Sequence, residues 1–377
     1  MKLRRLAAMA RKETLHVLRD PRALGVGLAM PLLLLLLFGY ALTLDVDRVP
    51  LLVWDQSNTP RSRDFLARFT ASRYFAMRGG VEDYRAVEAA FDRREALLLV
   101  VVPADFARRL DAGRGATVQL IADGSDANTA TLAMNYAEAI AQAYAGQVMV
   151  ERLRRAGAQP RATPVDFQPR VWFNEELNSK NFIVPGLIAV IMMIIAALLT
   201  SLTAAREWET GTIEPLLASP LTRAEFVLGK LTPYFVIGAI DVTLSVLAGH
   251  YLFRVPLRGS VALLVAMSAV FLTGTLCLGL LISIRARNQL VASQVAFVVT
   301  FLPAFLLSGF MFDTGNLPTP LYVVSRFVPA TYFIALLRAV YLKGVGIEVL
   351  ATEALLLLAF TALMVTLAMA SFRKRMD

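Results

Sequence analysis

Hydrophobic positions are gathered into six long runs, at 23–44, 182–205, 232–253, 259–284, 290–311 and 347–372, with charged residues at their ends. The first would make about 33 Å of helix at ~1.5 Å per residue, enough to cross a bilayer. Residues 1–22 have a different pattern. Lys2, Arg4, Arg5, Arg11, Lys12, Arg19 and Arg22 alternate with Leu3, Leu6, Ala10, Val17 and Leu18 at roughly helical spacing, which predicts a basic amphipathic helix lying in a membrane interface. Asp20-Pro21-Arg22 then ends that helix.

Between the first two runs, residues 45–178 form the one sizeable hydrophilic stretch. Strand-like segments at 50–54, 96–102 and 117–122 alternate with helical patterns at 61–72, 81–94, 104–112 and 129–156, predicting a compact α/β domain. Residues 303–346 are apolar but interrupted by Pro303, Gly309, Gly315, Pro318, Pro320 and Pro329. That density of breakers excludes another full span and predicts short re-entrant helices. The expected architecture is an α-helical polytopic membrane protein. It comprises an interfacial elbow helix (1–22), a first span (23–44), an extracytoplasmic α/β domain (45–178) and a membrane domain (179–377) carrying helices two to six.

Composition agrees. The 377 residues are 57% hydrophobic with a mean hydropathy of +0.58, above the 45–50% apolar content of soluble domains. A net charge of +9 would suit nucleic acid, but the basic residues sit at the ends of apolar runs, where they report topology. Arg206, Arg223 and Lys230, then Arg285 and Arg287, then Arg373, Lys374 and Arg375 join the basic N-terminus on one side, with Arg254 and Arg258 a mild exception. Six spans place both termini in the cytoplasm and the α/β domain outside. Gly39-Tyr40-Ala41 mimics a signal-peptidase site, but its apolar core is too long for a cleaved signal.

Candidate chemistry is sparse. Cys277 is the single cysteine, and His16 and His250 lie in unrelated contexts, so no disulfide or zinc set is expected. Residues 123–128 resemble a calcium loop but lack its glycine placement and terminal glutamate, leaving a turn with a helix cap. The acidic pairs Asp45/Asp47 and Glu175/Glu176 flank spans and read as interfacial charges. Gly229-Lys230-Leu231 is not a nucleotide-binding loop.

The segment 206–220 carries the sharpest signal. Arg206, Glu207, Glu209, Gly211, Thr212, Glu214, Ser219 and Pro220 form R-E-x-E-x-G-T-x-E-x-L-x-x-S-P between two spans. It is too charged for lipid and too short for a domain, which predicts a short helix on the membrane surface. This pattern resembles the cytoplasmic coupling segment of ABC-2 exporter permeases, here 206–222. The Arg19–Arg22 tetrad and the lead-in from Trp172 to Gly186 are similar to that family too, with Glu175 where a proline is usual. The resemblance implies that the segment docks on a separate ABC ATPase subunit, which binds ATP and Mg, so that this chain holds no cofactor and is not itself an enzyme. It also identifies Pro303, Ser308, Gly309, Phe310, Pro329 and Tyr332 with the family's outer gate, Asp313 replacing a common proline.

Six spans are few for one path, so a second permease copy or a paralogue is expected beside this one. The large outer domain is similar to drug-efflux permeases that work with a membrane-fusion protein. These features imply an exporter of drugs or other amphiphiles in a bacterial inner membrane. The alternative is a mechanotransmitter that moves nothing across the bilayer. Asp241 is the one carboxylate deep inside an expected span. Together with Tyr234 and Ser245 it lies on a small, polar stripe, a candidate wall of the substrate path.

Overall fold

The computed structural model describes residues 2–42, 48–155, 172–175 and 178–372. Asp45, Asp47, Glu176, the end of the expected first span and the basic cluster Arg373, Lys374 and Arg375 lie outside the described residues. The chain divides into two compact units, one of residues 1–43 and 170–377 and the other of residues 44–169.

The first unit is mostly helical. Helix α1 (Leu3–Leu18) buries Met9, Glu13 and Val17, a stripe at four-residue spacing. A continuous helical run follows as α2 (Pro21–Leu24), a π-helical turn (Gly25–Ala29) and α3 (Met30–Ala41). Pro31 has no N–H to give the Gly27 carbonyl, and the Met30 N–H reaches back to Gly25, which widens the helix there.

The second unit contains β1 (Val49–Asp55), α4 (Pro60–Ala71), β2 (Phe75–Gly80), α5 (Tyr84–Asp92), β3 (Leu98–Val102), α6 (Phe106–Asp111), β4 (Gln119–Ala122) and α7 (Ala127–Arg155). The strands form one sheet in the order β2-β1-β3-β4, parallel except for the antiparallel β3–β4 pair. Alternate side chains of β1 and β3 feed two cores. Leu51, Val53, Leu98, Val100 and Val102 pack with Phe65, Phe69, Phe106 and Tyr144. Leu52, Leu99 and Val101 pack with Val87 and Ala90 of α5. Covering both faces explains why β3 reads Leu-Leu-Val-Val-Val without alternation.

The first unit resumes with α8 (Ser179–Glu209), α9 (Ile213–Ala218), α10 (Arg223–Leu247, extended by a π-turn to Leu252), α11 (Val261–Ala286), α12 (Gln289–Leu307), α13 (Thr319–Ser325), α14 (Pro329–Arg338, extended by a π-turn to Lys343) and α15 (Ala351–Ser371). Among the described residues, α8, extended α10, α11, α12 and α15 are long and apolar enough to cross a membrane. Helices α13 and extended α14 pass that test only as a pair, bent by 77°. The α2–α3 run contributes a shorter apolar helix, Gly27–Ala41. The protein is therefore a polytopic membrane protein of five to six apolar spans.

Helix α8 is the axis of this unit, buried along nearly its whole length. Helix α11 lies so close to it that a Cβ on Gly279 would stand 2.2 Å from Thr200 Oγ1 and 2.3 Å from the Ala197 carbonyl. Only glycine permits that approach.

Candidate functional site

The charged end of α8 and the loop after it bring four elements together. Helix α8 ends at Glu209 because Gly211 turns the chain through a left-handed conformation, φ +69°. The short α9 then lies between α8 and α10 with Ile213 buried and Glu214 exposed in its first turn. Ser219 closes α9 by donating to the Leu216 carbonyl at 2.6 Å. A capping box starts α10: Thr222 Oγ1 accepts from the Glu225 N–H, and Glu225 accepts from the Thr222 N–H at 2.9 Å. Arg5 of α1 donates to the Pro220 carbonyl.

The acidic residues of the loop take different roles. Glu207 is only 6% exposed. It accepts from Lys230 of α10 at 2.7 Å and from Lys12 of α1. Lys230, 1% exposed, also donates to Glu13 at 3.1 Å, and Lys12 reaches Glu13 at 3.1 Å. Two carboxylates and two ammonium groups thus form a closed square binding α1, α8 and α10. Burial alone would push the Glu13 carboxyl up, but Lys230 and Lys12 outweigh it and hold it below the ordinary carboxylate range. Burial lowers the Lys12 ammonium, and Glu13 and Glu207 more than reverse this, so it stands above its usual value.

Arg206 donates to Asp20 at 2.9 Å, stands 3.0 Å from the His16 ring and reaches Gln289 at 3.3 Å. Glu209 is exposed and accepts from the backbone and side chain of Gln289 at the start of α12. Thr212 is exposed, its hydroxyl 3.0 Å from that of Thr210. Glu209, Thr212, Glu214 and Pro220 therefore face outward, whereas Glu207 is committed to the interior. Between α1 and α8, Arg206, Glu207, Thr210 and Thr212 border a cavity of about 1310 Å³.

The stripe on α10 is buried. Tyr234 is 6%, Asp241 1% and Ser245 2% exposed. Neither Asp241 oxygen meets a hydrogen-bond partner among the described residues, and the same holds for Ser268 Oγ of α11. At the other end of the bundle, Pro303 lies inside α12 and Ser308 donates to the Ala304 carbonyl just after it. The Gly309 carbonyl accepts from Arg338 at 3.0 Å, and the Arg338 guanidinium lies 3.6 Å from the centre of the Phe182 ring. Phe310 packs onto Gly186 of α8. Pro329 opens α14, and Tyr332 donates to the Arg326 carbonyl across the α13–α14 bend.

A family described as ABC-2 family transporter protein matches residues 23–370. The chain belongs to the ABC-2 transporter family. It is 37% identical to the probable multidrug ABC transporter permease YbhS of Escherichia coli K12, over 99% of this chain and 98% of that protein. It is 32% identical to the probable multidrug ABC transporter permease YbhR of the same organism, over 98% and 99%. It is 22% identical to the linearmycin resistance permease protein LnrN of Bacillus subtilis, over 96% and 97%. An ABC-2 permease is a membrane transport subunit, not an enzyme, and the family implies an ABC ATPase partner.

In this ABC-2 permease, the ion-paired Lys12, Glu13 and Lys230 are the residues beside the coupling segment that the sequence did not single out. Lys230 reads as one more basic residue at the foot of a span. The available signal was Glu13 itself, a carboxylate in the apolar stripe of α1 between Met9 and Val17.

Proposed function

We propose that this chain is the membrane-spanning subunit of an ATP-driven exporter of drugs or other amphiphiles, energised by a separate ATPase docking on residues 206–222. The observation that carries this reading is the coupling segment. It is a short helix bracketed by the two longest spans, with Glu209, Thr212 and Glu214 exposed while Glu207 and Arg206 tie it to α1. A push on α9 is transmitted to α8 and α10 through Glu207–Lys230 and to α12 through Glu209–Gln289. The multidrug and linearmycin-resistance names of the relatives support an amphiphilic cargo. The path is completed by a second copy or a paralogue, with Asp241, Tyr234 and Ser245 on its wall and residues 303–346 as its outer gate. The subunit resides in a bacterial inner membrane, with both termini cytoplasmic and the α/β unit outside, within reach of a membrane-fusion protein.

Inverted vesicles containing the permease and its ATPase test this. A fluorescent lipophilic cation is expected to accumulate only with ATP, and Glu214→Lys is expected to weaken ATPase co-purification while leaving insertion intact. The folded α/β unit favours a second reading, mechanotransmission, which predicts permease-stimulated ATP hydrolysis without accumulation. Unchanged complex formation and hydrolysis in Glu214→Lys would remove the docking role.

A further inference from the structure

The cavity between α1 and α8 is larger than the 300–1,000 Å³ that holds a drug-sized molecule, and its walls are of two kinds. One is apolar, made by Leu198, Leu199 and Leu202 of α8 and Leu15 of α1. The other is charged. Lys12, Lys230 and Arg206 face three carboxylates, Glu13, Asp20 and Glu207, and these six are joined in ion pairs. Arg11 and Arg19 also line the cavity, are exposed, and meet no acceptor among the described residues. Arg11 lies on α1 and Arg19 caps its end, eight residues or about 12 Å further along the helix. The cavity therefore has two surplus positive charges at its mouth and a leucine wall behind them.

We propose that this cavity is a binding site for an anionic phospholipid, whose phosphate is held by Arg11 and Arg19 while an acyl chain lies along Leu198, Leu199 and Leu202. Charge complementarity selects the anionic head, and the leucine wall selects an amphiphile over a free phosphate. The occupant would wedge α1 against α8 beside the Lys12–Glu13–Glu207–Lys230 square. Lipid composition would thus set how firmly α1 is held. This does not rest on ATPase docking, since it concerns the permease alone.

The test uses full-length permease purified in neutral detergent and stripped of lipid. Thermal unfolding and native mass spectrometry are followed with phosphatidylglycerol, phosphatidylcholine of the same acyl chains, and glycerol phosphate. Phosphatidylglycerol is expected to raise Tm and remain bound, with little effect of phosphatidylcholine and none of glycerol phosphate. Arg11→Gln/Arg19→Gln is expected to weaken phosphatidylglycerol binding roughly tenfold or more, counting two lost headgroup contacts. Arg4→Gln/Arg223→Gln removes the same charge from α1 and α10 outside the cavity and is expected to retain binding. Equal effects of the two lipids, equal loss in both double variants, or saturation by glycerol phosphate would each overturn the proposal.

Discussion

At the scale of single residues, the buried square of charges makes the sharpest demands. Removing one partner of a buried pair leaves an uncompensated charge, at a cost of about 3–5 kcal/mol. Lys230→Met leaves Glu13 and Glu207 facing each other with Lys12 alone between them, and thermal unfolding is expected to show a loss of that order. Glu13 adds a pH signature. Its carboxyl is held low in the folded protein, so its stabilisation is present above the unfolded value of about 4.3 and is lost as pH falls through the folded value. The Tm difference between parent and Glu13→Gln is expected to be full at pH 6 and to shrink between about pH 5 and 3. A difference constant across that range would deny the ionic role. Asp241 is the converse case, a buried carboxyl with no partner among the described residues. A charge at mid-membrane costs roughly 2.5–3.5 kcal/mol, so Asp241→Asn is expected to keep or raise Tm. If the residue lines the path, export of cationic substrates falls more than that of neutral ones at equal expression. Uniform loss with a lower Tm would assign it to packing.

At the scale of elements, close helix packing sets how near α11 lies to α8. A methyl group at Gly279 must push α11 from α8, so Gly279→Ala is expected to lower stability by about 1–3 kcal/mol in thermal unfolding. Gly146, in the exposed part of α7 with nothing near it, is the control, and Gly146→Ala is expected to gain about 0.5–1 kcal/mol. Much at this scale was legible in sequence. The run at 50–54 lies in β1 and the run at 96–102 covers β3 with two residues before it, because buried strands need β-branched and aliphatic residues whatever their partners. Strand β2 was not legible: in Phe-Ala-Met-Arg-Gly-Gly only Phe75 is buried, and an edge strand facing solvent needs no alternation. Nor was the expected start of the re-entrant segment, since Pro303 is carried within α12. The square of charges was invisible for a different reason. Its partners are separated by 195 and 217 residues, and no local pattern pairs Lys12 with Glu207 or Glu13 with Lys230.

For the whole molecule, the contacts fix which helix ends share a side of the first unit. Glu207 meets Lys230, Glu209 meets Gln289, and the Arg287 guanidinium lies 4.4 Å from the centre of the Trp208 ring. The end of α8, the starts of α10 and α12 and the end of α11 therefore lie together, with α1 beside them. Arg206, Arg223, Arg285 and Arg287 gather at that end, which the proposed orientation places in the cytoplasm. Arg254 and Arg258, on the opposite side, are too few to reverse the bias. Cysteine labelling reads this directly. The native Cys277 is 1% exposed, and Cys277→Ser removes even its residual reactivity. In that background Thr212→Cys, exposed before α9, is expected to react with an impermeant maleimide only after permeabilisation of spheroplasts. Arg114→Cys, on an exposed loop of the α/β unit, is expected to react in intact spheroplasts. Reaction of both from the same side would require an odd number of crossings between residues 114 and 212 to be abandoned, leaving α8 as a helix that enters the membrane without traversing it. The length of α8, about 46 Å at ~1.5 Å per residue, argues against that outcome.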